Sequence, residues 1–164
     1  MKLGRRLALI ALLASSCTPK TNGPDPESVV TAYLTAVAAQ DWSTAYSYLS
    51  SEDRAAIPPE GFPSRFTAIT ASPLGAALIK ETRFTLVRQQ AKRGHATVVV
   101  TVSEPDPKQA AAAVADAAGS ATGSDFEFRW RSRLVTLPRV TREQVWQLVS
   151  EGGRWRIALK ESGG

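Results

Sequence analysis

Between residues 25 and 70, apolar residues recur at the three- and four-residue spacing that is typical of amphipathic helices. The first apolar stripe consists of Val29, Val30, Tyr33, Leu34, Val37 and Ala38. Asp25 is the predicted N-cap of this helix, with Pro26 at its first position. Asp41 and either Ser50 or Ser51 are predicted caps of two further helices, and a short helical piece is expected from about Ser64. These patterns predict a helical N-terminal half that ends in a loop at residues 72–75.

From about Glu81 the apolar residues alternate with polar ones, which indicates strands. Four segments show this alternation and pair as two predicted hairpins, residues 83–89 with 96–102 and residues 143–149 with 154–159. Phe126, Phe128 and Trp130 also alternate with charged residues, and they predict another strand with a bulge near Ser132. Helices followed by antiparallel strands predict an α+β fold, with a single domain over residues 25–160.

Residues 104–124 break the strand pattern. Prolines follow Glu104, residues 108–118 are rich in alanine, and a run of small polar residues comes next. The alanines could form a helix, but they offer little bulk to bury. We therefore predict an inserted loop, with a plain linker between strands as the alternative.

The N-terminal segment has the composition of an export signal. Lys2, Arg5 and Arg6 precede the apolar run Leu7–Leu13, and small residues then lead to Cys17, the only cysteine of the chain. The run is too short to span a bilayer. The segment resembles a bacterial lipoprotein signal peptide over residues 1–16, which implies acylation of Cys17 and a tether over residues 17–24.

This leader changes the expected partners and location. Its removal takes the net charge from +5 to +2, so the basic composition is no evidence for nucleic acid, and none is expected as a partner. With Cys17 acylated, no thiol remains for a disulfide. We expect attachment to a membrane of the bacterial cell envelope through the lipid. Thr18 resembles the residue that follows the acylated cysteine in proteins of the outer membrane, so the domain should face the periplasm there.

Two parts of the chain resemble the nuclear-transport-factor-2-like superfamily, which includes ketosteroid isomerase and lipoproteins without an assigned activity. The opening match covers residues 29–34, 40–42 and 45–54, and the closing match covers the hairpin at residues 145–157. The resemblance implies a strongly curved antiparallel sheet that wraps the first helices as a cone and encloses a cavity. We expect Tyr33, Tyr46, Tyr48 and Trp146 to lie at such a pocket.

Catalytic and metal-binding patterns are weak in this sequence. An isomerase-like site would need a carboxylate such as Asp41 beside a tyrosine donor, yet Asp41 also fits a helix cap. His95, the only histidine, is expected in an exposed turn, and one histidine without a thiol makes no usual zinc site. We therefore predict no catalytic residue, no metal and no cofactor.

Arg129, Arg131 and Arg133 are spaced by two, so they would project from one face of the predicted strand as a basic interaction face. The expected function is a lipid-anchored envelope protein whose domain binds a small ligand or an envelope protein without catalysis. Two alternatives remain: a cavity enzyme of the isomerase or hydrolase type, and a docking protein that uses the arginine-rich face.

Overall fold

The computed structural model describes residues 23–120 and 124–160, and it has an α+β architecture as expected from the order of the predicted elements. The helices in this part of the chain are α1 (Pro26–Ala38), α2 (Trp42–Ser47), α3 (Ser51–Ala56), α4 (Thr67–Thr70), α5 (Pro73–Glu81), α6 (Pro107–Ser120) and α7 (Ser124–Leu134), with a 3₁₀ turn at Pro63–Phe66. The strands are β1 (Arg83–Lys92), β2 (His95–Pro105), β3 (Arg139–Glu151) and β4 (Arg154–Ile157).

The first three helices begin at the predicted caps. The Asp25 carboxylate accepts a hydrogen bond from the Ser28 backbone N–H at 2.8 Å, and Asp41 accepts one from the Thr44 N–H at 3.1 Å. Ser50 caps α3 by accepting from the Asp53 N–H. Each cap satisfies a backbone donor that the first helical turn leaves unpaired, so these short polar side chains set where each helix starts.

The sheet is a single four-stranded layer in the order β1-β2-β3-β4, and each strand is antiparallel to its neighbour. Both predicted hairpins are confirmed. Gly94, Gly152 and Gly153 take positive φ angles at the two turns, a conformation that glycine adopts without steric cost. The sheet is open and uncurled, so the expected cone is not confirmed.

Two sequence predictions in the second half of the chain are wrong. Residues 107–120 of the predicted inserted loop form α6, and the predicted strand at Phe126–Trp130 lies within α7. Five residues that alternate in polarity fit a helix as well as a strand. Here Phe126, Trp130 and Leu134, spaced by four, pack toward α6, whereas Phe128 is 73% exposed.

The predicted loop at residues 72–75 is also wrong, because it contains the start of α5. Ser72 is the N-cap and accepts a hydrogen bond from the Gly75 N–H at 3.0 Å, while Pro73 occupies the first helical turn. Serine followed by proline is a common helix start.

Apolar side chains form two clusters. The larger one joins α1 and α2 to one face of the sheet, and we call that face the inner face; its strand residues include Val98, Val100 and Val102 of β2. The smaller cluster joins α5, α6 and α7, where alanines of α6 allow Trp130 and Leu134 to pack closely. The low bulk of α6 is therefore complemented by large residues of α7.

Candidate functional site

A cavity of about 410 Å³ lies between α1, α5 and the inner face of the sheet. Its volume falls within the range of small-molecule sites. Its apolar walls come from every element around it, and they comprise Tyr33, Leu34, Val37, Ala38, Phe66, Leu78, Ile79, Phe84, Val102, Pro107 and Trp146. Thr82, Glu104, Arg142 and Gln144 contribute polar groups.

Strand register places the β3 residues of this cavity. Arg142, Gln144 and Trp146 align with Val102, Val100 and Val98 of β2, respectively. Since alternate residues of a strand share a face, these three side chains lie on the inner face. On α1, Tyr33 and Val37 are one turn apart, so their side chains lie on the same face of the helix, and this face lines the cavity.

Tyr33 is the most buried polar residue of the cavity wall, with 2% exposure. Its ring meets that of Trp146 at a centroid distance of 5.4 Å and an interplanar angle of 61°. Burial raises the pKa of Tyr33 to about 12, a rise to which Asp53 adds and which Arg65 opposes. The hydroxyl therefore stays protonated, and no hydrogen bond among the described residues involves it.

Trp146, which packs against Tyr33, carries an unsatisfied buried donor. Its indole Nε1 is buried, and it has no hydrogen-bond partner in the described part of the chain. Buried donors are usually paired, so the unpaired Nε1 of Trp146, a residue of the cavity wall, indicates that something else completes this region.

Charged groups lie at one end of the cavity. The Arg142 guanidinium is 3.8 Å from the Glu104 carboxylate, and the two side chains are 55% and 25% exposed. An exposed pair at that separation is weak. Both groups therefore remain able to meet the polar part of a bound molecule.

The four predicted pocket residues do not all converge. Tyr33 and Trp146 line the same cavity, but Tyr46 and Tyr48 do not. The Tyr46 hydroxyl lies 3.0 Å from the carbonyl oxygen of Arg54 and 2.9 Å from that of Ile57, which ties α2 to the end of α3. Tyr48 packs at the edge of the larger core.

Sequence reasoning missed the contributions of α5 and of the first half of β3. Leu78 and Ile79 follow Ser72 and Pro73, which start α5 but which the sequence pattern predicts as part of a loop. Arg142 and Gln144 precede Trp146 at intervals of two residues, as residues on one face of a strand do. Both signals are present in the sequence, but neither indicates a cavity on its own.

The predicted basic sheet face does not exist, because Arg129, Arg131 and Arg133 lie on helix α7. Residues two apart on a helix point in different directions, so the three guanidinium groups do not share one face. Arg133 forms an ion pair with Asp116 of α6, and the Arg131 guanidinium lies 5.5 Å from the centroid of the Trp130 ring. That these arginines bind a partner stays a prediction.

Three other expectations concern metals, membranes and the leader. Within residues 23–120 and 124–160, no group of three or more His, Cys, Asp or Glu side chains could hold a metal ion. No helix in this same region has the length and apolar character to cross a bilayer. His95 is exposed at the first hairpin. Cys17 and the leader lie outside the described residues.

Comparison with known proteins shows structural similarity but no family. No family model matches the chain, and no curated protein matches it. The chain is similar to the solution structure of a SEC-C motif-containing protein from Rhodopseudomonas palustris, with 13% identity and a TM-score of 0.48. That alignment covers 85% of this chain and 77% of the other. At this score the likeness supports no statement about function.

These findings correct the family resemblance. No family model supports the nuclear-transport-factor-2-like superfamily or its lipoprotein branch, and the open, uncurled sheet does not form the cone that the resemblance implies. The matched segments at residues 29–54 and 145–157 are a capped helix series and a hairpin. Such patterns are set by local packing, so they do not identify a family.

Proposed function

We propose that this protein binds a small apolar molecule that carries an oxygen acceptor, without catalysis, in the cavity between α1, α5 and the sheet. The observation that carries the proposal is an apolar cavity of about 410 Å³ with Tyr33 in its wall, a residue whose protonated hydroxyl has no hydrogen-bond partner among the described residues. Ligand sites typically combine such apolar walls with a few placed polar groups.

The position of the donor favours a neutral acceptor such as a carbonyl. A carboxylate placed beside Tyr33 would lose its hydration and would be repelled by Asp53, a cost that the charge of Arg65 offsets only in part. Arg142 lies at the polar end of the cavity and could accept an anionic group there. The ligand chemistry that fits best is therefore an apolar body with a carbonyl oxygen directed at Tyr33.

Binding is a better interpretation than catalysis because the acidic groups do not converge. Among the residues that line the cavity, Glu104 is the one carboxylate, and it lies beside Arg142. Asp41 is exposed at its helix cap, where hydrogen bonds from the side chain and backbone of Thr44 lower its pKa. A carboxylate base facing a donor, as an isomerase requires, is not found among these residues.

We further propose that acylation of Cys17 holds this domain at a membrane of the bacterial envelope. The preferred location is the outer membrane, with the domain facing the periplasm. The support is the order of basic, apolar and small residues that ends at the single cysteine. Two or more acyl chains would make such attachment firm.

A binding titration tests the cavity. The probe is 2-nonanone, an apolar ketone, followed by NMR chemical shifts of the protein, with nonylamine as a probe that lacks an acceptor carbonyl. We expect saturable binding of the ketone, and loss of that binding in Val37→Trp, which fills the cavity. Val135→Trp is the matched control, because Val135 is 58% exposed and does not line the cavity. Equal binding by both tryptophan variants contradicts the proposal.

Membrane partitioning tests the tether separately. Cys17→Ser should release the protein from the membrane fraction or leave it with an uncleaved leader, whereas Ser16→Ala should not. An unmodified thiol at Cys17, found by mass spectrometry of protein from its native envelope, would rule the tether out and leave the cavity proposal intact.

A further inference from the structure

Strand β1 is an unpaired edge of the sheet. It pairs with β2 on one side, and no strand of the described chain lies on its other side. All ten of its residues are exposed, including Phe84 and Leu86 at 36% and Val87 at 44%. An edge of this length offers free backbone donors and acceptors to an added strand.

A bulge in β1 aligns its charges. The register shifts between Leu86 and Arg88, so that Arg88 aligns with Val99 of β2. Arg83 aligns with Ser103 and Lys92 with His95, and these β2 residues all alternate with the inner-face valines. Without the extra residue, Arg88 would point to the inner face, because a shift by one residue reverses a side chain. The bulge therefore puts all three cations on the outer face.

The charges on this strand are of one sign. Arg83, Arg88 and Lys92 are the charged residues of β1, and none has an ion pair or hydrogen bond with another described residue. A second copy pairing through β1 would set these cations against one another, and like charges across strands are destabilising. An acidic strand would meet them with opposite charge.

We propose that β1 binds an extended acidic segment of a partner protein, which adds to the sheet as a fifth strand. The segment alternates acidic residues, which face Arg83, Arg88 and Lys92, with apolar residues, which cover Phe84 and Leu86. Backbone hydrogen bonds provide affinity in this mode, and the alternating side chains provide specificity. Phe84 also lines the cavity, so the two proposed sites meet at this residue, whereas Arg83, Arg88 and Lys92 do not line the cavity.

The test uses a labelled eight-residue peptide of alternating Glu and Val, titrated into the full-length protein by fluorescence anisotropy. Two control peptides alternate Lys and Val, or carry the same Glu and Val residues as two blocks. We expect the alternating acidic peptide to bind at least ten times more tightly than either control, with affinity that falls as salt rises. Equal binding by the block peptide would overturn the proposal, because that peptide keeps the charge of the alternating peptide but lacks its strand pattern.

Variants locate the interaction. Arg88→Glu should weaken peptide binding at least tenfold and Arg88→Lys should preserve it, whereas Arg129→Glu, at an exposed arginine of α7, should have no effect. Amide shifts of the unmodified protein should change along β1 when the peptide is added. Shifts confined to another surface, a dimer formed through β1, or binding to anionic vesicles in place of the peptide would each overturn it.

Discussion

Tyr33 of α1 and Trp146 of β3 meet edge to face, with ring centroids 5.4 Å apart and ring planes at 61°. The contact joins the first helix to the sheet beside the cavity. Aromatic pairs in this geometry contribute about 1 kcal/mol beyond the area they bury. We therefore predict that Tyr33→Leu and Trp146→Ala are coupled by about 1 kcal/mol in a double-mutant cycle measured by urea unfolding. A cycle of Trp146→Ala with Trp130→Ala, in the other cluster, should be additive, and equal coupling in both cycles would contradict the contact.

The second prediction concerns stability at high pH. Burial raises the pKa of Tyr33 from 10.0 to about 12, because the phenolate would lose its hydration. Above pH 10 the unfolded chain releases this proton while the folded chain keeps it. The stability due to neutral Tyr33 is therefore complete below pH 10 and is lost as the pH rises through about 12, a loss of roughly 3 kcal/mol.

The comparison of wild type with Tyr33→Phe isolates this effect from the titration of lysines and other tyrosines. Between pH 9 and pH 12, the unfolding free energy of the wild type should fall by about 2 to 3 kcal/mol more than that of Tyr33→Phe. Parallel pH profiles for the two proteins would show that Tyr33 titrates normally.

The third prediction concerns Asp53, a carboxylate with 2% exposure that joins α3 to the segment after β4. One of its oxygens accepts from the Leu159 backbone N–H at 2.8 Å and from the Ser50 hydroxyl at 2.7 Å. Asp53→Ala leaves the Leu159 amide without a partner and should cost about 2 to 3 kcal/mol. Glu52→Ala is the control, because Glu52 makes only an exposed pair with Lys160, which contributes at most about 1 kcal/mol.

Hydrogen exchange gives the matching local measurement. The Leu159 amide should exchange faster in Asp53→Ala and remain unchanged in Glu52→Ala. Protection of that amide in both variants would mean that the hydrogen bond to Asp53 does not hold the C-terminal segment.

The fourth prediction distinguishes helix from strand at residues 124–134. Trp130 is 2% exposed and Phe128 is 73% exposed. Trp130→Ala should therefore cost about 3 kcal/mol, whereas Phe128→Ala should change the unfolding free energy by less than about 0.5 kcal/mol. A strand with both rings on one buried face would give similar losses, and that result would contradict α7.

The sequence predicted elements well where a local signal is sufficient. Asp25, Asp41 and Ser50 are helix caps because their side chains bond within three residues, and the glycine turns define both hairpins. The predicted strand at Phe126–Trp130 is wrong because five alternating residues also fit a helix, and the α6 alanines that pack there lie outside this five-residue pattern.

The sequence predicted only part of the cavity wall, because long-range packing brings its residues together. Tyr33 and Trp146 are more than a hundred residues apart, and only the β2–β3 register brings Trp146 to α1. Tyr46 has the same local pattern as Tyr33, yet its hydroxyl meets carbonyls at the end of α3. The resemblance at residues 29–54 and 145–157 arose from local signals of this kind, which do not identify a family.

The central claim, that the cavity binds a small apolar molecule, is tested most directly by intermolecular NOEs between 2-nonanone and the protein. The account predicts NOEs from the ketone chain to the methyl groups of Val37, Leu78 and Ile79, which line the cavity. It also predicts that Tyr33→Phe weakens binding by roughly tenfold, the loss of about one hydrogen bond. NOEs confined to residues outside the cavity, or none at the solubility limit of the ketone, would contradict it.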